Sequence, residues 1–254
     1  MTDALARARG LLARAGRVLF ITGAGLSADS GLPTYRGLGG LYNGLTEEGV
    51  PIEAALSGSM LRQRPDVCWR YLAQLGKACA AAVPNAAHRA IAAFGVRHPG
   101  SWVLTQNIDG FHRQSGFPAG RLIEIHGQLE PLACMRCGQA VADAQACLAG
   151  PLPPRCHSCG GILRPPVVLF EEALPITELQ RLQDAAEEGF DLVIAVGTTA
   201  AFGYIQAPIG QTLAQGGDLI EINPDRSSLS GLATVQLKKR AVDVLPRLLS
   251  HIEG

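Results

Sequence analysis

Four of the seven cysteines stand in two pairs, Cys134-x2-Cys137 and Cys156-x2-Cys159, with 18 residues between the pairs. Two such knuckles can present four thiolates tetrahedrally to one zinc ion, and a closed shell of four leaves no position for a catalytic water. Gly138, Gly160 and Gly161 follow the pairs and suit the tight turns of a zinc ribbon. Disulfides would require an oxidising compartment, and a redox CxxC would not need a second pair. Only Arg136 and Arg155 add positive charge there, so a nucleic-acid role for the ribbon has little to draw on. Cys68, Cys79 and Cys147 are left over and read as buried, inert thiols.

A second chemical signature lies near the N-terminus. The apolar run Val18 to Ile21 reads as a buried strand and stops at Gly23-Ala24-Gly25, followed by Leu26-Ser27-Ala28. This is a G-x-G-x-x-A pattern directly after a strand, the context in which backbone can approach a pyrophosphate. A dinucleotide dehydrogenase would run on through a helix to an acid at the end of a second strand, about 20 residues later. Glu47 and Glu48 fall near that distance, but Gly31, Pro33, Gly37, Gly39, Gly40 and Gly44 make the intervening stretch a loop. The loop carries Tyr35 and Arg36, and loops of such length in compact domains are usually binding elements or lids.

The elements that must position these residues follow from the rest of the pattern. At 254 residues the chain can bury a large core, as one domain or as a large and a small one. Twenty-two basic residues balance 22 acidic ones, which gives no sign of a nucleic-acid or anionic-membrane partner. No run approaches the roughly 18 apolar residues of a membrane span. The Ala/Arg-rich start could resemble a transit peptide. Its Asp3, its lack of serine and the strand that follows favour an amphipathic first helix, with Leu5, Ala8 and Leu12 on one face. A cytoplasmic location is expected.

Further strands are expected at Trp102 to Thr105, Leu122 to Ile125, Leu192 to Val196, Leu219 to Ile222 and, more weakly, Thr234 to Leu237. Helical segments are expected over Pro51 to Leu56, Pro65 to about Ala80, Leu179 to Glu187, Tyr204 to Ala214 and from Val242. Another runs from an Asn85 cap through Phe94 and is closed by Gly95. Strands alternating with helices predict an α/β fold with a doubly wound parallel sheet. Gln106-Asn107-Ile108-Asp109, His126-Gly127, Gly197-Thr198-Thr199 and Asn223-Pro224 each sit at the carboxyl end of a strand, where such sheets bind ligands. They are therefore expected to converge on one crevice.

Taken in order, GAGLSADSGLPTYRG, QNID, EIHG, the two CxxC pairs, RPPVVLF, GTT and EINP resemble the sirtuin family of NAD-dependent protein lysine deacylases over nearly the whole chain. The resemblance implies a Rossmann-like NAD-binding domain (residues 1–30, 85–130 and 165–254), a cofactor loop with a helical insert (31–84) and a small zinc-ribbon insert (131–164). It implies NAD as co-substrate, one structural zinc on Cys134, Cys137, Cys156 and Cys159, and acylated-lysine proteins or peptides as partners. No nucleic acid or membrane is expected. Gly23, Ala24, Gly25 and Ser27 would line the phosphates. Tyr35 and Arg36 would shield the reacting ribose, with Asp29, Pro33, Tyr42 and Gln106 also around the cofactor. Asn107, Ile108 and Asp109 would hold the nicotinamide carboxamide. Gly197, Thr198 and Thr199 would meet phosphate and ribose, and Asn223, Pro224, Asp225 and Ala241 the adenosine. His126 would be the general base, since an imidazole with a pKa near 6.5 is largely neutral at pH 7. The other five histidines read as structural. In the implied reaction the acyl oxygen attacks the ribose carbon and nicotinamide leaves. His126 then helps a ribose hydroxyl attack the imidate, and hydrolysis yields free lysine and O-acyl-ADP-ribose.

Four positions depart from the family pattern. Members that remove succinyl or malonyl groups carry a Tyr and an Arg three residues apart on the helix after the cofactor loop, where alignment places Leu72 and Leu75. With Val168 and Phe170 these predict an apolar acyl-lysine tunnel, although a shift of one helical position would bring in Arg70 or Tyr71. Glu171 stands where Gly is usual in the segment that pairs with the substrate peptide, and Gly203 where Pro is frequent. Two other readings share these residues: mono-ADP-ribosyl transfer to a protein, and an acyl-lysine or ADP-ribose binding module without turnover.

Overall fold

The computed structural model describes residues 2–33, 45–141 and 144–250. Among the described residues there are nine strands: β1 Val18–Thr22, β2 Ser101–Thr105, β3 Leu122–Glu124, β4 Leu132–Cys134, β5 Ala140–Val141, β6 Leu163–Arg164, β7 Leu192–Val196, β8 Asp218–Ile222 and β9 Val235–Leu237. Six of them form one sheet in the order β3-β2-β1-β7-β8-β9, and every pairing in it is parallel. The order departs from β1 in both directions. The carboxyl ends of β1 and β7 therefore form the topological switch point at which open α/β sheets open a crevice.

Strand alternation divides the large sheet between two cores. Phe20, Val103, Ile194 and Ile220 face the first helix, the helix Ala86–Arg97 and the last helix Ala241–Leu249. Leu19, Ile21, Leu104 and Val193 face the helices Ile176–Glu187 and Gly203–Ala214. Both faces are covered, which is why these strands are apolar throughout. Among the described residues no helix is long and apolar enough to cross a membrane.

β4, β5 and β6 form a small antiparallel sheet in the order β5-β4-β6, and the first cysteine pair begins at Cys134, the last residue of its central strand β4. It does not stand on metal alone. Leu132, Cys134, Leu148, Cys156 and Leu163 pack with Ile52, Leu61, Trp69 and Leu72 in a third core. The Trp69 indole donates to the Leu163 carbonyl at 2.9 Å. The helical stretch and the cysteine insert thus share one interior, and Val167 and Leu169 join it.

One local expectation is corrected. The helix capped by Asn85 runs through Gly95 to Arg97 instead of stopping there. Gly95 is buried because a Cβ would strike the Phe117 ring, so it serves packing and not termination. After β1 the glycine pattern itself turns helical, with Ala24–Ser27 forming one helical turn and Ala28–Ser30 a 3-10 turn.

Candidate active site

The two glycine turns at the switch point interlock. The Gly25 N–H donates to the Gly197 carbonyl at 2.9 Å, and a Cβ on Gly23 or Gly25 would stand 2.8 or 2.7 Å from Gly197 backbone. Gly197 has φ 57, and a Cβ there would strike the Leu26 nitrogen. These residues are glycine first because the ends of β1 and β7 must touch.

Polar side chains converge above this junction. Gln106, just past β2, donates through Nε2 to Thr198 Oγ1 at 2.8 Å, and Thr198 Oγ1 also accepts from the Ala200 N–H at 3.0 Å. Asn107 Nδ2 donates to the Gly23 carbonyl at 3.0 Å and to Ser27 Oγ at 3.2 Å. Ser27 Oγ donates to Asp109 Oδ2 at 2.6 Å, and the Phe111 N–H meets Asp109 Oδ1 at 2.9 Å. Burial raises the Asp109 pKa, and those two hydrogen bonds only partly offset it.

This network reaches two histidines that the sequence pattern left as structural. The single Ser27 proton goes to Asp109, so the 3.4 Å contact with His88 Nε2 has the imidazole as donor. His88 Nδ1 then accepts from the Asn85 N–H, completing a capping box. Burial holds the His88 pKa down to about 4 and that of His112, which meets Thr22 Oγ1 at 3.0 Å, to about 3. Both are neutral supports.

His126 follows β3, and its backbone is fixed by the next residue. Gly127 has φ 75, and any Cβ there would strike the Pro166 carbonyl. The His126 carbonyl accepts from the Val168 N–H at 2.8 Å. Nδ1 lies 2.8 Å from the Gln106 carbonyl, and a carbonyl can only accept, so Nδ1 carries a proton. In the neutral ring Nε2 is then a lone pair, and it meets the Tyr204 hydroxyl at 2.7 Å. Burial lowers the His126 pKa, against which the Gln106 hydrogen bond acts. The arrangement is an imidazole locked in one tautomer and kept unprotonated.

The remaining expected residues are placed as follows. Asn223 Nδ2 donates to the Thr198 carbonyl at 3.1 Å, and Asp225 N–H turns back on Asn223 Oδ1. The Thr199 carbonyl accepts from Ser228, Pro224 is exposed and Ala241 is buried. Asp29 pairs with Arg240 at 3.0 Å, and Pro33 is half-buried. Tyr35, Arg36 and Tyr42 lie outside the described residues.

Ile108 and Asp109 open onto a cavity of about 220 Å3 with Trp69, Leu72 and Gly76 on its far wall. Leu72 reaches the cavity, whereas Leu75 packs against the third core. Val168 is half-buried on the segment whose Val167 bridges antiparallel to Gly127, and Phe170 is pinned by hydrogen bonds to Leu56 and Gly58. Neither lines the cavity. Arg70 is tied to Glu47 and Glu48, at 2.8 and 2.6 Å, so it is not a spare cation. Glu171 has φ 69, the left-handed conformation that a glycine would adopt freely, and its carboxylate accepts from the Ser59 N–H at 3.3 Å. That bond at the start of the helix Gly58–Gln63 helps offset the strain.

The donor sets fit two groups. The four cysteine Sγ atoms lie within 4.8 Å of one another, with Cys134 and Cys159 at 3.5 Å and Cys137 and Cys156 at 3.8 Å. Four converging thiols with no carboxylate or water-bearing position suit a structural zinc. The hydroxyl, amide and carboxylate of Ser27, Asn107 and Asp109, grouped at the switch point, offer both donors and acceptors, as a carboxamide needs.

Comparison with known proteins agrees with this geometry. A family model described as the Sir2 family matches residues 23–202. An NAD-dependent protein deacylase 2 of Pseudomonas aeruginosa is 60% identical over 241 residues, 95% of this chain and 94% of that protein. An NAD-dependent protein deacylase of Mycobacterium tuberculosis is 36% identical over 240 residues, 93% of this chain and 98% of its own length. A Sir2 homolog solved in complex with NAD superposes with a TM-score of 0.84 at 31% identity, covering 97% of this chain and 93% of that one.

Proposed function

This chain belongs to the Sir2 family, and from that premise we infer that it is an NAD-dependent protein lysine deacylase, with His126 as its general base. The observation that carries the base assignment is the fixed tautomer. Nδ1–H is spent on the Gln106 carbonyl, so only Nε2 can take a proton. Cys134, Cys137, Cys156 and Cys159 hold a structural zinc, which takes no part in the chemistry. NAD, when bound, supplies a ribose carbon made electrophilic by its cationic nicotinamide leaving group.

The residues of the chain divide the remaining work. The sheet-bearing residues (1–30, 85–130 and 165–254) bind the dinucleotide across the β1/β7 junction, with Gly23, Ala24, Gly25, Thr198 and Thr199 facing its phosphates. Asn107, Ile108 and Asp109 orient the carboxamide. Gln106 positions His126 from one side while gripping Thr198 on the other. The zinc-binding thiols require a reducing compartment, which supports a cytoplasmic location.

The depressed pKa of His126 has a direct consequence. Burial favours the neutral ring, so the base stays competent as pH falls below the ordinary value of 6.5. The acidic limb of the kcat/KM profile for deacetylation is expected below 6.5. A limb at or above that value would show that another group, or a more solvated histidine, controls the step.

The acyl group removed is neutral. The cavity beside Ile108 is walled by Trp69, Leu72, Leu132 and Leu148, its Asp109 and Glu130 are acidic, and Arg113, which also lines it, is paired with Glu124 at 2.9 Å. Each methylene buried there contributes up to about 0.8 kcal/mol. An unpaired carboxylate in the same place costs several kcal/mol. On one peptide, kcat/KM is expected to favour acetyl and butyryl over succinyl at the same lysine. A succinyl preference would overturn the apolar assignment.

A further inference from the structure

The proton path to His126 contains a residue that no motif announces. We propose that Tyr204 is a catalytic residue, its hydroxyl relaying the proton from the reacting ribose hydroxyl to Nε2 of His126. The proposal rests on His126 being the general base.

The geometry leaves few alternatives. Nδ1 is bonded to a backbone carbonyl, so a proton taken by the ring must arrive at Nε2. That nitrogen already meets the Tyr204 hydroxyl at 2.7 Å, and as a lone pair it makes the hydroxyl the donor. The hydroxyl is held there. Tyr204 lies in the first turn of the helix Gly203–Ala214, directly before Ile205, which is completely buried in the sheet core. Its ring stacks on Phe202 with centroids 5.4 Å apart and planes 10° apart, and stands edge-on to His126 at 6.0 Å. Tyr204 itself is only half-buried, and a hydroxyl that donates to Nε2 keeps lone pairs with which to accept a second hydrogen bond.

A phenolic hydroxyl both donates and accepts, so it can pass a proton without changing its own state. The ribose O–H gives its proton to Tyr204 Oη while the Tyr204 O–H proton moves to His126 Nε2. The ribose oxygen keeps the bonding pair and uses it to form the new bond to the acyl carbon of the imidate, whose C=N π bond breaks with its pair going to the lysine nitrogen. His126 becomes an imidazolium whose Nδ1–H remains on the Gln106 carbonyl, and Tyr204 emerges neutral with its oxygen now accepting from Nε2–H. No oxidant or further reactant is required.

The test uses Tyr204→Phe, His126→Ala and the double variant of the full-length zinc-loaded protein, with melting temperature and zinc content as folding controls. Tyr204→Phe is expected to lower kcat for deacetylation by about 10- to 100-fold, within the range for a positioned proton-transfer group. KM for NAD and for peptide should stay within about 2- to 3-fold. Exchange of labelled nicotinamide into NAD precedes the relay and should be retained, whereas a merely structural defect would depress exchange and deacetylation together. The double variant should be no slower than His126→Ala, because the two groups act as one unit. In the ligand-free protein the imidazole 15N resonance of Nε2 should shift on Tyr204→Phe while Nδ1 stays in place. If His126→Ala is slow but Tyr204→Phe turns over at or above the wild-type rate, or the Nε2 resonance does not move, the relay is wrong. If His126→Ala is itself undiminished, the general-base reading fails instead.

Discussion

His126→Ala is expected to lower kcat for deacetylation by on the order of 100- to 10,000-fold, the contribution of a positioned general base. The effect should fall on the chemical step. His126 is half-buried, and its loss takes one hydrogen-bond partner each from the Gln106 carbonyl and the Tyr204 hydroxyl. None of the three cores loses an apolar side chain, so the melting temperature and zinc content should match the wild type. Steady-state kinetics on an acetyl-lysine peptide checks the first part and thermal unfolding with metal analysis the second. Wild-type turnover in the variant would remove His126 from the chemistry.

Cys134→Ala should have the largest effect on stability. Zinc held by cysteine and histidine ligands contributes about 10–16 kcal/mol of apparent binding free energy in small zinc-folded units, more than the whole stability of many domains. Cys134 is 4% exposed, lies on β4 and packs in the core shared with Leu61, Trp69 and Leu72. Losing the metal therefore releases more than the insert. The helix Pro65–Ala81 is tied to β6 through the Trp69 indole and would loosen with it, opening the cavity wall at Leu72. The variant is expected to purify without zinc, if it stays in solution, and to exchange the Trp69 indole proton quickly. The six-stranded sheet has its own two cores and should remain protected longer. A variant that retains zinc and melts with the wild type would contradict the four-cysteine assignment.

Much of this arrangement is legible in the sequence because its signals are local. Short apolar runs such as Val18 to Ile21 and Leu192 to Val196 end in polar or glycine residues. A parallel sheet puts all those ends on one side. The cysteine spacing needs only ligand geometry. What the sequence hides depends on tertiary contact. Tyr204 lies 78 positions from His126, inside an otherwise ordinary helix start, and nothing in its spacing connects the two. Gly95 looks like a helix stop, but Phe117 packs so closely that only a glycine fits within the helix. Leu75 falls at helical spacing from Leu72, yet Leu72 is buried in the third core and also reaches the cavity, whereas Leu75 only packs, partly buried, against that core. Burial in one interior of residues from 52 to 73 and from 132 to 169 also leaves no local trace, because each segment alone reads as a separate insert. Glu171 shows the opposite case. A substitution that breaks the usual preference keeps the glycine-like backbone and gains a hydrogen bond to Ser59.

The central claim is that NAD is spent to remove an acyl group from lysine, and intact mass spectrometry of an acetyl-lysine peptide tests it most directly. The peptide is incubated with NAD and the zinc-loaded protein, and its mass is read before and after. The account predicts that the peptide loses its acetyl group only when NAD is present, with nicotinamide and O-acetyl-ADP-ribose as the other products. A peptide or protein that gains ADP-ribose would show mono-ADP-ribosyl transfer instead. An unchanged peptide mass with intact NAD would reduce the protein to a binding module, and either result would contradict the account.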